Sequence, residues 1–182
     1  LGFKPLEHEF KIMGMAPYAA DEYAEPVAAI LRRYLRVERQ GPRWIRGVGE
    51  PIALIGRRLE KDLRRVRFDS ICAGLQKFTE EVMTQWVSAW IEETGLRRVL
   101  VAGGVFMNVK ASKMICELPM LESFAAFPSC GDESLPFGAC YLAAAADRLT
   151  PKPLAHAYLG PDLGLEECRA AVADVGDRVE VE

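Results

Sequence analysis

The sequence predicts an α/β protein, with helices layered on a sheet that has at least some parallel pairing. Three observations carry this. From residue 69 onward the order reads helix, strand, turn, helix, strand, turn, helix, a succession that builds parallel pairs. The run Val99-Leu-Val-Ala-Gly-Gly-Val-Phe-Met-Asn108 reads as a short buried strand, a diglycine turn and the start of a helix. Ahead of it, Ile71, Leu75, Phe78, Val82, Trp86 and Ala89 make one apolar stripe at helical period, which marks core rather than a cofactor site.

The elements follow in order. Residues 7–16 have helical spacing, with Phe10, Met13, Ile12 and Met15 expected to face inward. Gly14 weakens that helix unless another backbone packs close to it. After Pro17, Asp21 is expected to cap a second helix over 22–35, with Pro26 in or near its first turn and Val27, Ile30, Leu31 and Tyr34 facing inward. Residues 36–49 are rich in Arg and Gly, with short strands at Val37 and Trp44-Ile45, and a helix is expected over 51–63. Asp69 is the expected N-cap of the longest helix, which runs to about residue 93 and stops at Gly95.

Beyond the diglycine turn, a helix is expected over 107–117, with Lys110 and Lys113 outward and Pro119 closing it. Residues 121–127 read as a strand with Phe124, Ala125 and Ala126 buried. Pro128 to Ser134 is a second turn, feeding a helix over 135–149 whose small residues (Gly138, Ala139 and 143–146) suit close packing. Thr150-Pro-Lys-Pro153 has linker composition, and Leu165 to Val175 looks like the opening of another unit.

The bulk properties bound the function. The 182 residues can bury a core, and half of them are hydrophobic with 27% charged, an ordinary globular balance. A net charge of −3 argues against a general nucleic-acid binder. The arginines between Arg32 and Arg67 read as a solvated, ion-paired face, with an anion-binding rim as the alternative. The 5 cysteines form no C-x-x-C pair and fit buried thiols in a reducing cytoplasm. Only 2 histidines, His8 and His156, are present, so a metal site made wholly within this chain is not expected; both read as surface or structural residues. The apolar run over 135–146 is too short and too alanine-rich to span a bilayer, and no signal peptide is visible. The start at Leu1 reads as an excised piece of a longer, cytoplasmic protein.

The diglycine turn is the best candidate site. Two missing side chains where a strand hands over to a helix let a flat or charged ligand approach the main chain, and Asn108 can offer its amide in the same crevice. A turn or capping role is the plain alternative for Asn108, as an N-cap on the 135–149 helix is for Asp132. Lys11 reads by itself as a solvated lysine, and Cys130, with no histidine nearby, as a buried thiol rather than a nucleophile.

Three stretches in order carry a resemblance: Glu9-Phe-Lys-Ile-Met-Gly-Met-Ala-Pro-Tyr18, Val101-Ala-Gly-Gly-Val-Phe-Met-Asn108, and Pro128-Ser-Cys-Gly-Asp132 with Phe137-Gly-Ala139. They resemble the E-x-K-x-M-G-L-A-x-Y-G, G-G-V-x-x-N and D-x-G-x-x-x-G-A segments of the ATP-dependent O-carbamoyltransferases, the nodulation-protein-U type. The resemblance covers about residues 1–161 and departs from the family at Ser134, where a Gly is usual, and at Pro17-Tyr18-Ala19, where Tyr-Gly is preferred.

That resemblance implies the second lobe of an actin/hexokinase/Hsp70-like (ribonuclease-H-like) fold over residues 1–149, a linker over 150–157 and the start of the family's C-terminal domain over 158–182. It implies use of ATP and carbamoyl phosphate to form a carbamoyl-adenylate, and transfer of the carbamoyl to a hydroxyl of a natural product or sugar. By the motif match, Gly103, Gly104 and Asn108 would hold the adenosine end, Glu9 would accept from ribose hydroxyls and Lys11 would lie near phosphate. Asp132 matches the aspartate that joins an H-x-x-x-H pair around a divalent, iron-type metal; that pair is absent from this chain and expected upstream. With the partner lobe and the C-terminal domain elsewhere, the chain alone is expected to be catalytically inactive, and neither nucleic acid nor membrane is an expected partner. The alternatives are a same-fold threonylcarbamoyl-adenosine synthase subunit, a sugar kinase, or a non-catalytic interaction lobe.

Overall fold

A computed structural model of the chain describes residues 2–4, 7–154, 156, 158 and 160–175. It divides into two compact units, residues 1–139 and residues 140–182.

The first unit is α/β and is organised on one helix. In chain order it holds α1 (Glu9–Met15), a 3₁₀ turn (Ala16–Tyr18), α2 (Asp21–Arg32), β1 (Leu35–Glu38), β2 (Arg43–Arg46), α3 (Ile52–Asp62) and α4 (Phe68–Thr94). After α4 come β3 (Arg98–Val101), a 3₁₀ turn (Gly104–Met107), α5 (Val109–Cys116), β4 (Ser123–Ala126), a third 3₁₀ turn (Asp132–Ser134) and the start of α6 (Leu135–Ala146). The second unit carries the end of α6 and α7 (Leu165–Val175). No described helix is long and apolar enough to cross a membrane.

The 27-residue α4 is the spine. It ends where the sequence says it must: Gly95 takes φ 70°, the left-handed conformation, and its N–H donates to the Ile91 carbonyl at 2.8 Å. Asp69 is not its N-cap. Arg67 holds that position, and Asp69 sits in the first turn, where its carboxylate accepts from the Ser70 N–H and pairs with Arg67. An acidic residue there still favours the helix through the unpaired N–H groups of the first turn.

Two cores pack on α4. One sets Val27, Ala28 and Leu31 of α2 against Phe78 and Val82, with Leu59 of α3 and its C-cap Leu63 beside them. The other gathers Met83, Val87 and Ile91 with Val101, Phe106, Ile115 and Cys130. The single stripe read from the sequence is therefore the seam of a helix buried on more than one side. Gly74 lets α2 approach: a Cβ there would come within 2.4 Å of the Val27 Cβ and 2.7 Å of the Ala24 carbonyl oxygen. This packing also carries α2 through Pro26, which lies inside the helix and not in its first turn; Asp21 is its first residue and Ala20 its N-cap. The lost backbone hydrogen bond is offset by the buried face.

β1 and β2, the short strands expected at Val37 and Trp44-Ile45, pair antiparallel, and β3 and β4 pair parallel with Val99 opposite Phe124 and Leu100 opposite Ala125. Val99, Val101 and Phe124 face the second core, while Leu100 is 77% exposed and Ala125 and Ala126 are exposed as well. The expected burial of the two alanines is corrected: within the first unit no described element covers the outer face of this strand pair. The inward facing of α1 is corrected in part. Ile12, Met13 and Met15 are half-buried, but the helix has no fully buried residue, Phe10 is 63% exposed, and a Cβ at Gly14 would meet no other atom within 4 Å. Nor does α6 bury any residue, so its small-residue face makes no close contact at Gly138.

The cysteine reading needs a similar correction. All 5 are free thiols, but only Cys72 and Cys130 are buried; Cys116, Cys140 and Cys168 are exposed. The arginine-rich segment follows its plainer reading, since Arg32 bridges Glu25 and Glu81, Arg43 meets Glu38, Arg58 meets Glu50 and Arg33 lies near Asp62.

Candidate functional site

Three elements enclose a cleft of about 590 Å³ in the first unit. α1 contributes Phe10, Ile12 and Met13, α4 contributes Leu75, Gln76 and Thr79, and the turn after β3 contributes Gly104, Val105, Met107 and Asn108, with Glu7 and Glu9 at the edge. The apolar residues of α1 do face something, and it is this space. A few polar groups on a mostly apolar lining suit a ligand with a flat apolar body and a polar edge.

The diglycine turn supplies one wall. Gly103 adopts φ 112° and ψ 143°, a conformation open to glycine and strained for any other residue, and its N–H donates to the Cys130 carbonyl at 2.7 Å. Gly104 lines the cleft, and a Cβ there would meet no protein atom within 4 Å. Here a ligand can reach the main chain.

Asn108 lies half-buried at the end of this wall and takes the capping role that is the plain alternative for it, as N-cap of α5: Oδ1 accepts from the Ala111 N–H at 3.1 Å. The same amide faces Gln76 in a reciprocal pair. Nε2 of Gln76 donates to Oδ1 of Asn108 at 3.0 Å, and Nδ2 of Asn108 donates to Oε1 of Gln76 at 2.8 Å. Gln76 Nε2 also donates to Oε1 of Glu80 at 2.7 Å, and the Lys110 ammonium lies 3.8 Å from that carboxylate. The capping role and the cleft-lining position therefore coexist.

Of the residues singled out in the sequence, Glu9, Gly104 and Asn108 line one cleft although nearly a hundred positions separate the first from the others. Gly103 does not line the cleft; its N–H is held by the Cys130 carbonyl. Lys11 does not line the cleft; its ammonium lies 5.9 Å from the centre of the neighbouring Phe10 ring. His8 precedes α1 and its Nδ1 accepts from the Lys4 N–H at 3.1 Å.

The turn after β4 stands beside the diglycine turn through the Gly103–Cys130 bond. Cys130 is buried in the core, in keeping with an inert thiol. Ser129 takes φ 52°, and its hydroxyl donates to Glu133, which with backbone N–H groups holds that carboxyl below its usual range. Ser134 closes the turn by donating from its hydroxyl to the Gly131 carbonyl at 2.8 Å. Asp132 is exposed in the 3₁₀ turn and caps no helix, because that turn separates it from α6. Among the described residues no three His, Cys, Asp or Glu side chains gather where one ion could be held.

Gln76 escaped the sequence reading. The signal was present: Cys72, Gln76, Thr79, Met83 and Val87 follow one another at helical spacing, so a lone amide falls on a packed face.

Comparison with known proteins fits the motif order. The family described as carbamoyltransferase N-terminus matches residues 1–141. An uncharacterized protein of Methanocaldococcus jannaschii is 25% identical over 92% of this chain and 28% of its own length. An uncharacterized protein of Synechocystis is 28% identical over 91% of the chain and 30% of its own length. The nodulation protein NolO of Bradyrhizobium diazoefficiens is 26% identical over 87% of the chain and 29% of its own length. The chain thus spans under a third of each of these relatives.

Proposed function

The chain belongs to the carbamoyltransferase family, and from that premise we propose that its 1–139 unit is the nucleotide-holding part of an enzyme that uses ATP and carbamoyl phosphate to carbamoylate a hydroxyl. The observation that carries this reading is the convergence of Glu9, Gly104 and Asn108 on one cleft of about 590 Å³. Its lining suits a nucleoside. Apolar side chains of α1 and Leu75 would flank the base, and the bare main chain at Gly104 leaves room for the sugar. Asn108 and Glu9 supply polar groups at its edge. ATP, when bound, supplies the adenylyl group that activates the carbamoyl; this chain's residues bind and orient it.

The actin/hexokinase-like fold of the whole nucleotide domain, with this chain as one lobe, belongs to the same proposal and is supported by the parallel β3–β4 pair with both loops at its carboxyl end. Family membership favours this reading over a sugar kinase or a threonylcarbamoyl-adenosine synthase subunit. Asp132, exposed and without a cluster of ligands around it among the described residues, cannot hold an iron-type ion tightly by itself; an upstream H-x-x-x-H pair would have to supply the other ligands.

The test is made on the complete protein. Pyrophosphate is expected to form from ATP only when carbamoyl phosphate is present, and residues 1–182 alone are expected to form none. Pyrophosphate formation by residues 1–182 alone would overturn the division of the site, and its absence from the complete protein with both substrates present would overturn the reaction.

A further inference from the structure

Gln76 is only 5% exposed, and its side-chain amide makes three hydrogen bonds: two from Nε2, to Glu80 and Asn108, and one accepted by Oε1 from Asn108. The direction of this amide pair is set from both ends. At one end the Ala111 N–H can only donate, so the Asn108 atom it meets is Oδ1. At the other end the Glu80 carboxylate accepts, so the Gln76 atom it meets is Nε2. The cap on Ala111 alone would leave the Asn108 amide free to swing about that one contact. The bond from Asn108 Nδ2 to Gln76 Oε1 fixes its plane and uses one of the two Nδ2 hydrogens. No described group takes up the second hydrogen, and Asn108 itself lines the cleft. Both Nε2 hydrogens of Gln76 are engaged, so Gln76 has no donor left to offer a ligand directly.

We propose that Gln76 is a positioning residue, which turns the Asn108 amide so that the cleft meets an N–H donor, and that the ligand atom lying there is a hydrogen-bond acceptor. This rests on the nucleotide reading of the cleft, and it adds which edge of the nucleoside the site selects. Gln76 acts only through Asn108, and that makes the claim separable from a packing role.

The experiment is a double-mutant cycle on the complete protein, with ATP affinity measured by equilibrium titration and thermal melting followed alongside. Asn108→Ser keeps an N-cap oxygen for Ala111 and removes the amide. Gln76→Leu removes the positioning amide at similar volume, and Gln76→Met, which likewise offers Asn108 no amide oxygen, serves in its place if the leucine variant fails to fold. Each single substitution is expected to weaken ATP binding about tenfold, the order of one lost hydrogen bond to a partly buried group. The double variant is expected to bind within about twofold of Asn108→Ser alone, since coupled residues are not additive. Losses that multiply in the double variant would overturn the proposal, as would a Gln76 variant that melts lower yet binds ATP as the native protein does while Asn108→Ser is weakened. If Asn108→Ser itself binds ATP unchanged, the nucleotide reading falls, and this inference with it.

Discussion

The N–H of Gly103 donates to the carbonyl of Cys130 across 2.7 Å, and with that bond the loops leaving β3 and β4 become one rim. Both loops lie at the carboxyl ends of a parallel pair, where α/β sheets gather their ligands. At φ 112° the position favours glycine, so one residue without a side chain links two motifs through a bond to Cys130, 27 positions on.

The two glycines of the turn are expected to respond differently to alanine. Gly103→Ala forces a side chain into a conformation that costs about 1–3 kcal/mol and should lower the melting temperature. Gly104→Ala meets no protein atom, so stability should stay within about 0.5 kcal/mol while the methyl intrudes on the cleft and weakens ATP binding severalfold. Melting curves and ATP titrations of the two variants check this; a destabilised Gly104→Ala would mean that the turn is packed rather than open.

The approach of α2 to α4 depends on Gly74. Gly74→Ala places a methyl group against Val27 and the Ala24 carbonyl, and overpacking of this kind costs about 1–3 kcal/mol. Chemical denaturation should show that loss. A neutral result would mean that the two helices can separate without cost.

Glu25 gives the fold an acid-sensitive contact. The Arg32 guanidinium beside it, and then the Lys77 ammonium, lower its carboxyl from an ordinary 4.5 to about 2. The folded value lies below the unfolded one, so the contribution is present above pH 4.5 and is lost as the pH falls from 4.5 towards about 2. Glu25→Gln should flatten the stability-versus-pH curve in that window. Because the pair is solvent-exposed and screened, the loss at neutral pH should be small. An unchanged acid-unfolding profile would remove Glu25 from the account.

Much of the site was legible because its signals are local. The diglycine turn, the strand before it and the Gly95 stop are set by backbone conformation, which sequence displays directly. What was not legible depends on which partner covers which face. Phe10 and Met13 follow core spacing but look into a cleft, and Ala125 and Ala126 follow strand spacing on a face that no described element of their unit covers. Pro26 read as a proline in or near the first turn, and the packing that carries the helix through it is tertiary. Gln76 shows the limit most plainly: its meaning lies in Asn108, 32 positions away.

The most direct test of the central claim is ATP affinity of the complete protein carrying Asn108→Ser, measured beside the native protein. The substitution preserves a cap on α5 and removes the amide of a residue that lines the cleft, so a folded protein with ATP binding weakened about tenfold or more is expected. A folded variant that binds ATP as tightly as the native protein would contradict the claim that this cleft holds the nucleotide.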